Sequence, residues 1–106
     1  MRSLAFTAER FEIIYEGLLN SQRGFDAPSE TRIVGKILEK LEDEATQELV
    51  GGVTTYRLKN GKGAVVNLSD EEYKLLVSAV KAVKWTARIA TKATDAIEWL
   101  EGVESS

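Results

Sequence analysis

The sequence contains no cysteine, no histidine and only one proline. Without cysteine the chain has no disulfide, no thiolate nucleophile and no cysteine-ligated zinc. Without histidine it also lacks imidazole acid–base chemistry, a Ser-His-Asp triad and histidine-ligated metals. The apolar patch within residues 1–12 is too short for a signal peptide or a membrane span. We therefore expect a cytoplasmic protein with no membrane partner.

Catalytic and cofactor-binding motifs are also missing. There is no G-x-S-x-G or G-x-G-x-x-G, and the segment NGKG at residues 60–63 lacks the G-K-[ST] ending of a P-loop. The acidic residues of segment 42–48 do not have the spacing of an EF-hand loop, which favours a solvated helix face. We expect a protein that is not an enzyme and needs neither a cofactor nor a metal.

The length and composition are those of a small globular protein. A chain of 106 residues that is 43% hydrophobic can bury one core without disulfide or metal support. We expect residues 1–106 to form a single small domain, with residues 101–106 as a frayed tail.

Charge is segregated along the chain. Residues 1–50 hold six basic and ten acidic residues, residues 51–92 hold eight basic and three acidic residues, and residues 93–106 hold four acidic residues and no basic one. Such a basic middle between acidic ends has two interpretations. It either solubilises each helix or steers a partner of opposite charge.

Two helices are predicted in the first half of the chain. Thr7 can cap a helix that runs to about Asn20 and carries an apolar stripe at helical spacing, while Gly17 inside it allows close approach of another element. Pro28 lies in the opening turn of a second helix, which we expect to end at Gly51-Gly52. A short loop joins the two, so an αα-hairpin is expected.

A β-hairpin is predicted over residues 53–68, where β-branched residues surround the turn signal Asn60-Gly61. A five-residue loop, KNGKG, places most of the larger apolar residues on one face, so we prefer that register to a two-residue turn. The preferred register pairs Leu58 with Ala64, Tyr56 with Val66 and Thr54 with Leu68.

The segment NLSDEEY, residues 67–73, predicts the start of another helix. Ser69 and Glu72 have the S-x-x-E spacing of a capping box, and Leu68 and Tyr73 have the spacing of a hydrophobic staple. Two continuations are considered, namely one helix to about residue 101 or a break near Trp85-Thr86 with Thr86 capping a further helix, and the change in phase of the apolar face near Trp85 favours the break. The predicted fold is therefore α+β and mainly helical, with an αα-hairpin, a β-hairpin and one long or two shorter helices.

The basic middle supplies the candidate partner-binding residues. If the backbone stays helical, four cations spaced three, four and four residues apart form one stripe. Trp85 neighbours that stripe and is suited either to anchoring a partner or to interhelical packing. A second group of cations lies at the predicted hairpin tip. The candidates are Lys81, Lys84, Trp85, Arg88 and Lys92, followed by Lys59 and Lys62.

One resemblance adds to this interpretation. NLSDEEYKLLVSAVKAVKW, preceded by TRIVGKILEKLEDEA, resembles small accessory proteins of tailed bacteriophages, with an acidic helix, a short β insert, L-S-x-E-E-Y-x-x-L and a downstream tryptophan. The resemblance spans roughly residues 31–100. It implies a regulator or accessory factor that binds a host or phage protein in the host cytoplasm, and it assigns no site residue.

Three functions follow from these observations. The first is a non-enzymatic protein-interaction module. The second is a nucleic-acid-associated factor that uses the basic residues, although a pI of about 5.0 opposes it. The third is a structural or assembly oligomer, such as a homodimer in which the basic stripe meets the acidic second helix of another copy.

Overall fold

The computed structural model describes residues 1–103, and this part of the chain contains four helices and four strands. Their order is β1 (Arg2–Phe6), α1 (Ala8–Leu19), α2 (Ser29–Asp43), β2 (Ala45–Val50), β3 (Val53–Leu58), β4 (Ala64–Leu68), α3 (Asp70–Lys81) and α4 (Ala90–Glu101). The α+β, mainly helical class is confirmed.

Two predicted helix starts are confirmed by their caps. The Thr7 side chain accepts a hydrogen bond from the Arg10 backbone N–H at 3.2 Å. At α3, the Ser69 hydroxyl accepts from the Glu72 N–H at 3.1 Å, and Glu72 Oε1 accepts from the Ser69 N–H at 2.8 Å. Each cap satisfies donors that the first turn of a helix leaves unpaired.

The predicted pairing of residues 53–58 with residues 64–68 is wrong. β4 instead pairs antiparallel with β1, with Leu4 opposite Val66, and β3 pairs antiparallel with β2. The reason lies at the N-terminus, because Leu4 and Phe6 are buried and complete the apolar face of β4. No strand was predicted for residues 2–6, which form β1.

A β-hairpin is present, but it consists of β2 and β3. Gly51 and Gly52 have φ angles of +58° and +83°, which suit a tight two-residue turn whose twist matches the flanking strands. The prediction that the second helix continues to these glycines is wrong, since α2 ends at Asp43 and residues 45–50 form β2.

The break after α3 is confirmed. α3 ends at Lys81, α4 begins at Ala90, and residues 82–89 form the connection, which we call the α3–α4 linker. The predicted cap at Thr86 is wrong, because Ile89 occupies the N-cap position and Thr86 instead accepts a backbone bond from the Ile89 N–H at 3.2 Å.

The core lies where α3 packs against the other helices. The helices α1 and α2 were expected to form an αα-hairpin. They make their main helix contacts with α3 or α4 rather than with each other. Gly17 of α1 allows the close approach that was expected, because a Cβ there would lie 2.4 Å from Val80 Cγ1. The largest fully buried side chains are Phe11, Leu4, Ile14, Leu18, Ile37, Leu41, Leu68, Leu76, Leu100 and Val80.

The chain after α4 returns to β1. The carbonyl oxygen of Val103 accepts a hydrogen bond from the Arg2 guanidinium, and the Val103 side chain packs against the core. Glu101 is the last residue of α4. Residues 104–106, the remainder of the predicted frayed tail, lie outside the described residues.

Candidate protein-interaction site

The solvent face of α3 carries two lysines. Lys74, Ser78 and Lys81 are exposed at helical spacing on the side opposite the buried residues, and with Val77 and Ala82 they line a shallow depression. Lys74 was not among the predicted site residues. Its seven-residue separation from Lys81 is the signal that could have found it.

Trp85 fixes the middle of the α3–α4 linker. Its ring would lie 3.2 Å from a Cβ at Gly17, so the indole packs directly on the backbone of α1. The side chain is half-buried, and its Nε1 is buried without a hydrogen-bond partner among residues 1–103. Trp85 therefore holds the linker to the fold, and most of its ring is not available as a partner anchor.

The linker cations on either side of Trp85 point to solvent. Lys84 and Arg88 are exposed, and neither side chain forms an ion pair or a hydrogen bond within the described part of the chain. Because their segment is docked through Trp85, both charges are carried by a backbone that is already ordered.

The outer members of the predicted stripe are paired within the molecule. Lys81 Nζ lies 3.5 Å from Glu101 Oε1, and Lys92 Nζ lies 3.6 Å from Glu9 Oε1. Since the linker is not helical, the single helical stripe that a continuous helix would have formed is absent. The four cations are divided between α3, the linker and α4.

Lys59 and Lys62 lie on the loop between β3 and β4. Their side chains are exposed, and their backbone N–H groups donate to the Glu44 carbonyl and to Asn60 Oδ1, both at 3.0 Å. Over residues 1–103, no hydrogen bond or ion pair joins this loop to the α3–α4 linker. The two predicted groups of cations thus belong to separate loops.

A cleft between α1 and β3 was not predicted. It has a volume of about 500 Å³, and its walls include the acidic residues Glu12 and Glu16 and the aromatic residues Tyr15 and Tyr56. Burial raises the pKa of the Tyr15 hydroxyl, as does the hydrogen bond that it donates to Glu42 at 2.7 Å. This tyrosine therefore stays protonated and acts as a donor that ties α1 to α2.

Two features of the described residues bear on metal binding and on serine chemistry. No group of three or more acidic side chains among them could hold a metal ion. A Ser-x-x-Lys sequence occurs at residues 78–81, but Ser78 and Lys81 lie on the exposed face of α3 without a hydrogen bond between them, and Lys81 pairs with Glu101. This exposed pair lacks the buried, positioned base that activates a serine.

Comparison of the chain with protein-family models, curated proteins and solved structures gives no match. Within residues 1–103, no helix is long and apolar enough to cross a membrane.

Proposed function

We propose that the protein is a non-enzymatic interaction module that binds an acidic surface of a partner protein through its basic segment, defined as Lys74, Lys81, Lys84 and Arg88. The observation that carries this proposal is the state of Lys84 and Arg88. Both are exposed and lack an intramolecular carboxylate among the described residues, whereas the flanking Lys81 and Lys92 each have one.

The docked linker favours binding. A partner that contacts Lys84 and Arg88 needs to order two side chains but no backbone, because Trp85 already holds the linker on Gly17. Ordering loops and side chains is one of the main costs of association, so preorganised backbone lowers that cost. Complementary charge also accelerates the encounter with an acidic partner.

A protein partner suits the charge layout better than nucleic acid. The chain has a net charge of −3, and carboxylates lie beside the outer cations at Glu9 and Glu101. A continuous phosphate backbone would meet those carboxylates, while a protein surface can present acids only where the free cations lie. The resemblance to phage accessory proteins makes a bacterial lysate the natural source of the partner.

Reversing the two free linker charges should abolish partner binding. We expect the double variant Lys84→Glu/Arg88→Glu to retain at most about one tenth of the partner that the wild-type protein retains, since losing two charge contacts costs more than about 1.4 kcal/mol. The measurement is affinity capture from nuclease-treated bacterial lysate, with the retained proteins quantified by mass spectrometry.

A matched control variant tests whether the change in net charge alone weakens binding. Arg32→Glu/Lys36→Glu makes the same charge change on exposed cations of α2 and should retain the partner at the wild-type level. Equal retention by all three proteins would contradict the assignment to the basic segment. Retention that disappears with nuclease would instead favour the nucleic-acid function, and a mobility shift of duplex DNA at low salt would then be expected.

A further inference from the structure

The cleft between α1 and β3 follows the free edge of β3. Consecutive residues of this strand, 53–57, line the cleft. Because successive side chains of a strand point to opposite faces of a sheet, a cleft lined by both sets runs along the edge of the strand and does not lie over one face. The other edge of β3 is paired with β2. One wall of the cleft is therefore a strand edge, and the other wall is α1.

The register with β2 shows which backbone groups of β3 point into the cleft. The Lys59 N–H donates to the Glu44 carbonyl at 3.0 Å, which makes these two residues a hydrogen-bonded pair of the antiparallel ladder. Hydrogen-bonded pairs alternate with pairs whose N–H and C=O groups point away from the partner strand. Thr55 therefore bonds to β2, while Thr54 and Tyr56 direct their backbone groups into the cleft.

These outward backbone groups are free to bond to another chain. Thr54 is exposed, and Tyr56 is half-buried because its ring packs on that of Tyr15 in α1, with the ring centroids 5.4 Å apart. Within residues 1–103, no hydrogen bond to the outward N–H or C=O of Thr54 or Tyr56 is formed. Unpaired groups at a strand edge accept an added strand, and the cleft volume of about 500 Å³ lies in the range of ligand sites.

The α1 wall carries an unbalanced negative charge. Glu12, Glu16 and Leu19 line this wall on the exposed side of the helix. Glu12 Oε1 lies 4.0 Å from Arg57 Nε, and the same guanidinium pairs with Glu48 at 3.4 Å. Glu16 has no basic partner among the described residues, so its carboxylate is left to attract a cation from outside the molecule.

The spacing of the α1 wall suits an extended segment. The lining residues 12–20 and 53–57 span about 12 Å of helix and about 13 Å of strand, so the cleft runs along both elements. Glu16 and Leu19, three positions apart, have Cβ atoms about 5–6 Å apart. Alternate residues of a strand lie on one face about 6.8 Å apart, so a basic and an aliphatic residue separated by one position match this pair. Leu19 is 56% exposed, and an aliphatic side chain would remove it from water.

We propose that this cleft binds an extended segment of a partner protein that carries a lysine or arginine two positions from a large aliphatic residue. The segment adds a strand to β3 through the backbone of Thr54 and Tyr56. Its basic residue lies against Glu16, and its aliphatic residue lies against Leu19. In this mode of recognition the main-chain hydrogen bonds give affinity and the side-chain contacts give specificity. The site shares no residue with the basic segment, so it is independent of the proposed function.

Nuclear magnetic resonance titration with a synthetic peptide tests the proposal. The probe is acetyl-TKTLTKT-amide, which contains the required spacing in both chain directions, and we expect a dissociation constant of about 1 mM or lower. In the complex the amide protons of Thr54 and Tyr56 should exchange with solvent at least about tenfold more slowly, whereas that of Thr55, already bonded to β2, should not change. Absence of binding at millimolar peptide, or unchanged exchange at Thr54 and Tyr56, would overturn the proposal.

Charge reversal in the cleft is the second test. We expect at least about tenfold weaker binding when Glu16→Lys replaces the wild-type protein, and likewise when acetyl-TETLTET-amide replaces the basic peptide. Glu39→Lys makes the same charge change on an exposed residue of α2 and should bind like the wild type. Equal affinities of the two variants, or of the two peptides, would overturn the proposal. Lys84→Glu/Arg88→Glu should still bind the basic peptide, and loss of binding in that variant would also overturn the proposal.

Discussion

Replacing Glu72 with alanine should lower the free energy of unfolding by about 3 kcal/mol, because hydrogen bonds to a charged group contribute about 1.5–3 kcal/mol and loss of the reciprocal cap adds to this. Glu72 is only 5% exposed, and its Oε1 accepts from Lys40 Nζ at 2.7 Å and from the Ser69 N–H at 2.8 Å. Urea denaturation followed by circular dichroism measures the change.

Glu72→Gln separates the contribution of the capping hydrogen bond from that of the charge that faces Lys40. Glutamine also functions at this position of a capping box, so its amide oxygen can still accept from the Ser69 N–H. It loses the charge that faces Lys40, a residue that also donates to the Asn67 carbonyl at 3.1 Å and so links α2, β4 and α3. We expect a loss of about 1 kcal/mol for this variant. Equal losses for the two variants would show that the cap contributes nothing.

The same carboxylate should make stability depend on pH. Burial acts to raise the pKa of Glu72, but the hydrogen bonds from Lys40 and from the Ser69 N–H outweigh it, and the net pKa lies below its ordinary value. The stabilisation is therefore complete above the unfolded-state pKa of about 4.3 and is lost as the pH falls through the lower folded-state pKa. The advantage of wild type over Glu72→Gln should shrink in that acidic range.

Gly17→Ala should destabilise the protein by about 2 kcal/mol, even though alanine is the better helix former by about 1 kcal/mol. The added Cβ would lie 2.4 Å from Val80 Cγ1 and 3.2 Å from two atoms of the Trp85 ring. Val80 is fully buried and, being β-branched, has few alternative rotamers. The helices must therefore move apart, and the Trp85 ring with them.

Gly35→Ala is the matched control for this substitution. Gly35 lies inside α2, and a Cβ there has no atom within 4 Å. We expect it to stabilise the protein by about 1 kcal/mol, so the two variants should differ by about 3 kcal/mol in denaturant unfolding. Similar free energies for both variants would contradict the close packing of α1 against α3 and the linker.

Local signals in the sequence predicted the starts of α1 and α3 correctly. Thr7 and Ser69 cap their helices because each hydroxyl accepts a hydrogen bond from the free backbone N–H three residues later. This contact is local and forms in any tertiary context. The break after α3 was favoured by the change of apolar phase near Trp85. These features depend on neighbours within a few residues, so one sequence is enough to infer them.

Strand pairing depended on residues far apart in the sequence. β4 can pair with β3 after a short loop or with β1 across most of the chain, and the outcome is decided by burial of Leu4 and Phe6 against the helices. The β2–β3 turn had a local signal in Gly51-Gly52, but the preceding residues were read as a continuation of α2. Propensity alone does not separate those alternatives.

Three of the four residues of the basic segment were sequence-predicted candidates, but their arrangement was not predicted. Lys84 and Arg88 lie on an exposed linker as free cations, whereas Lys81 and Lys92 have carboxylate partners from other elements. Trp85 packs on Gly17, a contact between residues 68 positions apart that no local pattern indicates. Which surface charges remain free depends on tertiary neighbours, and sequence spacing does not give these.

The most direct test of the proposed function is a hydrogen–deuterium exchange footprint of the protein with and without its captured partner. We expect added protection concentrated in residues 74–88, the span of the basic segment, and loss of that protection in Lys84→Glu/Arg88→Glu. Protection confined to α2 or to the cleft between α1 and β3, with residues 74–88 unchanged, would contradict it.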